Sequence, residues 1–511
     1  MAYTPPATPT VLYLVALGGN IVSASATANR LMRVEGRFNA RPAAVASNTA
    51  MGLMGVAGMS NALPASVTIN ELTTVAAEWA LAQFTDSTGQ IIGAPSSNAT
   101  GFINAVNQAQ ANLADIVSGG PASFWSNYGV TEASCTGGSP PVNCDGLERL
   151  DTIANILAAC VESAGPSSSA CSTLLTGSST NTLAAAHVMA TNPAANVATL
   201  FALQSGSPPF TPDLSAAPDG WEIALNFAPA GANFNGSFFL AIDAAGNVWV
   251  PTYGGNSVTE LNSNGGLAGN FAPSGANFNG PDGVAIDAAG NVWAVNYHGN
   301  SVSELLAGCS TSSCTGLNFA PDGANFDAPI QVAIDAAGNA WVPNPSGESV
   351  TELNSSGGLV GNFAPAGANF DGPQFVAIDT AGNVWVTNVF GNSVTELNSS
   401  GGLAGYFTPD GANFDEPGGV AIDAAGNVWV ANILGNSVTE LNSSGGLAGN
   451  FAPSGANFDD SIGVAIDAAG NVWAANAGGN SVAEIVGVAR PVLTPRVACL
   501  KQTTPHAVCL P

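Results

Sequence analysis

His298, with Tyr297 beside it, is the first place to look for chemistry, because an imidazole can serve as a general base near neutral pH. No GxSxG, HExxH or phosphate-loop pattern accompanies it. The other two histidines, His187 in a helical stretch and His506 in the tail, have no recognisable company. Three acids, Asp282, Glu416 and Asp460, fall within one recurring connection, and together they would offer oxygen ligands to Ca2+ or Mg2+. The same and adjoining connections carry apolar, aromatic and amide side chains: Phe238, Phe239, Tyr253, Gln331, Gln374, Phe375, Phe390, Ile433 and Leu434. Exposed aromatics with scattered acids suit a peptide or glycan ligand.

Cysteine and charge narrow the setting. Eight cysteines fall as four local pairs: Cys135 with Cys144, Cys160 with Cys171, Cys309 with Cys314, and Cys499 with Cys509. Each pair brackets a loop of small and turn-forming residues. None has CxxC spacing, so disulfides in an oxidising compartment explain them better than metal binding, and nearest-neighbour pairing is the simplest arrangement. An extracytoplasmic location follows as an expectation, although the start, MAYTPPATPTVLYLVALGG, has no basic segment of the kind that opens a signal peptide. No apolar run is long enough for a transmembrane helix. The net charge is −27, and all eight basic residues (Arg30, Arg33, Arg37, Arg41, Arg149, Arg490, Arg496 and Lys501) lie outside the repeats described next. A surface without Lys or Arg cannot release counterions from phosphates, which argues against nucleic acid and anionic lipid as partners.

The elements that must position these residues are repeats. The Asp of an AID phrase recurs at Asp243, Asp287, Asp335, Asp379, Asp423 and Asp467, with spacings of 44, 48, 44, 44 and 44. Each unit holds four short β-prone runs; in the fifth these are Val420–Asp423, Asn427–Asn432, Ser437–Leu441 and Leu447–Phe451. DAAGN joins the first two and NSSGG the last two, both with a glycine for a left-handed turn. A four-stranded meander of about 44 residues is one propeller blade. The inner three strands occur six times. The outer-strand phrase, as in LNFAPAGANF, also occurs six times, but its first copy precedes the first AID and none follows the last NSVAEIVGV. That first copy, with its strand at 225–229, must complete the last blade, so the ring closes on six. The recurring Trp249, Trp293, Trp341, Trp385, Trp429 and Trp473 read as packing between blades, and the AID aspartate reads as a turn cap. The longer interval comes from the Cys309–Cys314 loop.

The phrase VAIDAAGNVWVAN…GNSVTELNSSGGLAGNF resembles the NHL repeat and the related propeller of the streptogramin (virginiamycin B) lyases, over roughly residues 221–488. Among NHL-type propellers the resemblance implies peptide-, protein- or RNA-binding modules, the RNA binders using basic faces. For the lyases it implies seven blades and a catalytic histidine with a divalent metal; this ring counts six repeats and holds one histidine, His298.

Residues 1–204 read as a mostly helical domain with a strand over Thr10–Leu17. Helices are expected over Asn48–Met59, Ile69–Phe84, Asn98–Val117, Asp145–Val161 (capped by Asp145 with Glu148) and Asn181–Ala190, and then from an Asn192-Pro193 start. Residues 205–220 read as a linker or docking strap, 221–488 as the propeller and 489–511 as a tail clipped by Cys499 and Cys509. The reading is therefore mainly β, a six-bladed β-propeller preceded by a mostly α-helical domain. Its expected role is exported, non-enzymatic and monomeric: binding a protein, peptide or glycan through the varied loops, with no cofactor required and Ca2+ or Mg2+ admitted. The alternative is a metal-dependent lyase or hydrolase at the same face.

Overall fold

A computed structural model describes residues 11–17 and 48–489, apart from 95–97, 138, 178, 205, 238, 311–312, 468–469, 477 and 480. The arginines at 30, 33, 37 and 41 and Phe238 therefore lie outside the described residues. So do Cys499 and Cys509: the disulfide expected between them is not among the three that the structure describes, which are Cys135–Cys144, Cys160–Cys171 and Cys309–Cys314. The chain divides into two compact units. One runs to Leu225 and also takes Ile485–Val488; the other is formed chiefly by Asn226–Glu484.

In the first unit, strand β1 (Val11–Leu17) pairs antiparallel with β2 (Gly52–Met59). The expected helix over Asn48–Met59 is thus a strand. Glycine decides it: a Cβ at Gly52 would lie 2.6 Å from Asn181 Oδ1, and one at Gly55 3.0 Å from Ile116, so the segment packs with bare backbone. Eight helices follow among the described residues: α1 (Glu71–Ala80), α2 (Ala99–Gln108), α3 (Ser123–Asn127), α4 (Glu132–Cys135), α5 (Cys144–Val161), α6 (Ser169–Leu174), α7 (Thr182–Thr191) and α8 (Val197–Phe201). Asn70 and Thr73 form a reciprocal capping box on α1, and Asn181 caps α7. The expected cap of α5 is not formed. Its N-cap is Asn143, and Asp145 instead bonds Arg149 Nε at 2.6 Å. Asn192-Pro193 does not start α8 either; that helix is preceded by Asn196 in the left-handed conformation. Of the stretch that follows α8, Phe210 and Leu214 are tied to α5: Asn155 exchanges two hydrogen bonds with the Phe210 backbone and Thr152 Oγ1 accepts from Leu214 N. The disulfides Cys135–Cys144 and Cys160–Cys171 hold the two ends of α5.

The second unit is a ring of six four-stranded antiparallel sheets. In the fifth blade the strands are Pro417–Ile422, Val428–Asn432, Ser437–Leu441 and Leu447–Phe451. The sixth sheet takes its outer strand, β3 (Ala224–Phe227), from the N-terminal side, so both ends of the ring sit in one sheet. Each AID aspartate caps its hairpin. In the fifth blade Asp423 Oδ1 accepts from the backbone of Ala425 and Asn427, while Oδ2 accepts from Asn427 Nδ2 and Trp429 Nε1. The tryptophan so held stacks on the outer-strand phenylalanine, Trp429 on Phe451 and Trp385 on Phe407, with centroids 5.3 and 5.2 Å apart. That phenylalanine lies against the glycine of the next blade's outer hairpin: a Cβ at Gly445 would collide with the Phe407 ring. In the second blade this hairpin is replaced by the Cys309–Cys314 disulfide loop, whose cysteines pack on the Trp249–Phe271 cluster.

Phe375 is fully buried at the ring axis, so Phe375→Ala should cost about 3–5 kcal/mol in chemical denaturation, whereas exposed Phe390→Ala should cost under about 0.5 kcal/mol. In the first unit, Glu78 is fully buried with Oε2 3.0 Å from His187 Nδ1. Burial, partly offset by His187, pushes its carboxyl up to about 7. The folded value lies above the unfolded one, so this contribution is fully present below about pH 4.5 and is lost as pH rises through about 7. Hydrogen exchange of α1 should show protection falling between pH 5 and 8 by on the order of 3 kcal/mol, and Glu78→Gln should flatten that slope.

Candidate functional site

The loops between second and third strands and those leading into the inner strand meet at one end of each blade. Tyr253 N donates to Gly236 O at 3.2 Å, Tyr297 N to Gly280 O at 2.9 Å, Val389 N to Gly372 O at 3.1 Å and Ile433 N to Glu416 O at 3.1 Å. Adjacent blades are latched at this end by asparagines that themselves adopt positive φ. Asn256 Oδ1 accepts from Gly280 N at 2.8 Å, Asn300 from Ala328 N at 2.8 Å, Asn392 from Glu416 N at 3.0 Å and Asn436 from Asp460 N at 3.3 Å. The face whose loop sequences vary is therefore carried on a regular backbone frame, the usual arrangement for loops that bind.

Three of the expected residues come together on it. Tyr253 from the first blade and Tyr297 and His298 from the second form a ring cluster, with centroids 5.9 Å (Tyr253–Tyr297), 5.1 Å (Tyr253–His298) and 5.2 Å (Tyr297–His298) apart. Tyr253 Oη and His298 Nε2 share a 2.5 Å hydrogen bond. The cluster depends on Gly280, where a Cβ would stand 3.0 Å from His298 and 3.1 Å from Tyr253. Burial, then the charge of Asp282, then Tyr297 raise the Tyr253 phenol above its ordinary range.

Other expected residues are placed differently. Phe239 and Phe375 are not displayed on the face. They hold the equivalent third position of the segment that leads through the inner strand in opposite blades and meet on the ring axis, centroids 4.9 Å apart, with Ile330 and Ile462 packed against the same cluster. The third-position residues are Phe239, Gly283, Gln331, Phe375, Gly419 and Gly463, two large rings among three glycines. That alternation was the available signal for an axial plug. Gln331 is also buried, its Oε1 accepting from Val376 N at 2.5 Å in the next blade. Gln374 is half-buried. Phe390 and Leu434, 67% and 55% exposed, project from the corresponding loops of the fourth and fifth blades, and Ile433 is half-buried against Gly418.

The three acids do not assemble. Among the described residues no three His, Cys, Asp or Glu side chains gather as a metal set. Glu416 and Asp460 occupy the left-handed turn position, at φ 50° each, where Gly236, Gly280 and Gly372 stand in other blades. Asp282, by contrast, is buried in the inner strand of the second blade, and its Oδ1 has no hydrogen-bond partner. Burial holds its carboxyl well above the usual carboxylate range.

No family model and no curated protein matches the sequence. Among solved structures, the chain is similar to a streptogramin B lyase at 16% identity, with 52% of this chain and 97% of that one covered and a TM-score of 0.41. It is similar to virginiamycin B lyase from Staphylococcus aureus at 15% identity, 52% and 98% coverage and a TM-score of 0.39. It is also similar to a gluconolactonase from Xanthomonas campestris at 17% identity, 52% and 90% coverage and a TM-score of 0.42. These likenesses concern the fold alone: a propeller similar to that of virginiamycin B lyase, here with six blades.

Because Glu416 bears a side chain where a left-handed backbone favours none, Glu416→Gly should raise the unfolding free energy of the ring by about 0.5–1 kcal/mol. Glu416→Val should lower it by a larger amount, read in the same denaturation experiment.

Proposed function

We propose that the protein is a non-enzymatic binding module, working outside the cytoplasm, that takes a protein, peptide or glycan ligand on the varied-loop face of its propeller. The observation that carries this reading is the Tyr253–Tyr297–His298 cluster, three rings gathered from two blades on a regular hydrogen-bonded frame. Aromatic rings with polar tips give contact area at low conformational cost. Exposed Phe390 and Leu434 extend the same face to further blades. The location rests on three short-range disulfides with no free cysteine among the described residues, and no described helix is long and apolar enough to cross a membrane.

Glycan and peptide arrays probed with the whole chain test the reading. A ligand should be retained by the wild-type protein and weakened at least tenfold by Tyr297→Ala, with thermal unfolding little changed. Ligands that bind equally well to the Tyr297→Ala and Phe390→Ala variants would place recognition elsewhere.

A further inference from the structure

Asp282 is the one acid among the three residues that follow the left-handed turn position in each of the six repeats, at the end of the ring where the loops vary. It keeps only 5% of its surface, and Oδ1 has no hydrogen-bond partner. A buried carboxyl oxygen left unpaired is destabilising, and more so if charged. The matching described positions in other blades, Ile330, Gln374, Gly418 and Ile462, bring no cation to offset it. The ring sequence from Asn226 to Glu484 contains no Lys or Arg at all. Apart from the imidazole of His298, already bonded to Tyr253 Oη, a positive partner for this acid has to come from outside the ring.

The surroundings fit such a partner. Asp282 lies two residues along the chain from Gly280, the residue on which the rings of Tyr253 and His298 pack. It is close enough for its charge to act on the Tyr253 phenol. Tyr253 and Tyr297 supply π-faces, which attract cations most strongly where water is displaced. A divalent metal is a poorer fit, since no three acidic or imidazole groups gather here among the described residues. A neutral sugar hydroxyl would satisfy one oxygen but would make no use of the net charge of −27, which draws cations toward the protein.

We propose that Asp282, Tyr253 and Tyr297 form a receptor for one alkylammonium or guanidinium group, the head of a lysine or arginine side chain presented by a peptide. The proposal rests on the reading of the varied face as a binding surface and names the ligand chemistry for it. The carboxylate pairs with the cationic head, and the two phenol rings flank its stem.

The test titrates the full chain with two blocked tripeptides, acetyl-Gly-Lys-Gly-amide and acetyl-Gly-Arg-Gly-amide, and with neutral counterparts carrying norleucine and citrulline. Binding is followed by calorimetry and by the ring protons of the tyrosines. The cationic peptides should bind at least tenfold more tightly than the neutral ones. Asp282→Asn should abolish that preference, Tyr297→Leu should weaken it severalfold, and raising the salt concentration should weaken it further. The Asn variant should remain folded and be at least as stable as wild type at neutral pH, with the two converging in acid, because the raised carboxyl costs stability only as pH rises toward its folded value. If that variant does not fold, the cationic-against-neutral comparison on the wild type and on Tyr297→Leu decides. Equal binding of charged and neutral peptides, unchanged preference in Asp282→Asn, or no binding of the cationic probes overturns the proposal. Tyrosine-dependent array ligands without a charge preference overturn it alone and leave the binding-face reading standing. An array with no ligand on this face removes both.

Discussion

The ring depends on one carboxylate per blade. Each AID aspartate accepts from its own hairpin and from the indole of a tryptophan six residues on, from Asp243 and Trp249 to Asp467 and Trp473. The hydrogen bond fixes the indole plane, and the indole presents a stacking surface to the outer-strand phenylalanine, in the last blade Trp473 to Phe227. That ring fills the space over the following blade's glycine, as Phe227 does over Gly265. Turn, blade core and blade-to-blade contact thus form one linked chain, which is why the letters D, N, W, F and G recur together.

A second set of polar groups works inside the blades. Asn432 Nδ2 donates to Ser437 Oγ and Thr439 Oγ1, and Thr439 Oγ1 donates to Ala412 O. The same triad recurs as Asn388, Ser393 and Thr395. These groups are buried, and each needs partners to offset its desolvation. Together they tie the loop entering a blade to its second and third strands. The varied loops can therefore differ in sequence while their backbone stays in place.

Much of this was legible beforehand, for physical reasons. A strict period with turn residues at fixed offsets leaves few architectures, and the displaced outer-strand copy required a closure through β3. Nearest-neighbour cysteine pairing was legible for Cys135, Cys160 and Cys309 with their partners, because short loops of small residues bring such pairs within bonding reach; the same expectation for Cys499 and Cys509 falls outside the described residues. The aromatic–imidazole cluster was legible in part: Tyr253, Tyr297 and His298 belong to loops that topology places together, but their mutual contact depends on the bare Gly280. The reading of Phe239 and Phe375 as surface groups failed because a period-2 pattern gives the side of a strand and not the radius of the ring on which that side opens. Near the axis, inward positions face one another rather than solvent. The first unit was read less well. Asn48–Met59 has both helical and strand-like apolar spacing, and only the partner strand β1 and the tight contacts at Gly52 and Gly55 select between them.

The meeting of Phe239 and Phe375 on the axis bears on how the repeat array can change over time. Six nearly equal units suggest that copies are interchangeable and that one more or one fewer would be tolerated. Two rings from diametrically opposed blades replace the apparent six-fold symmetry with a single unique diameter. Inserting a blade would widen the axis and part the rings, and removing one would drive them into each other. A hub built from two specific side chains thus acts as a counting device: it holds the array at six through contacts that no single repeat contains.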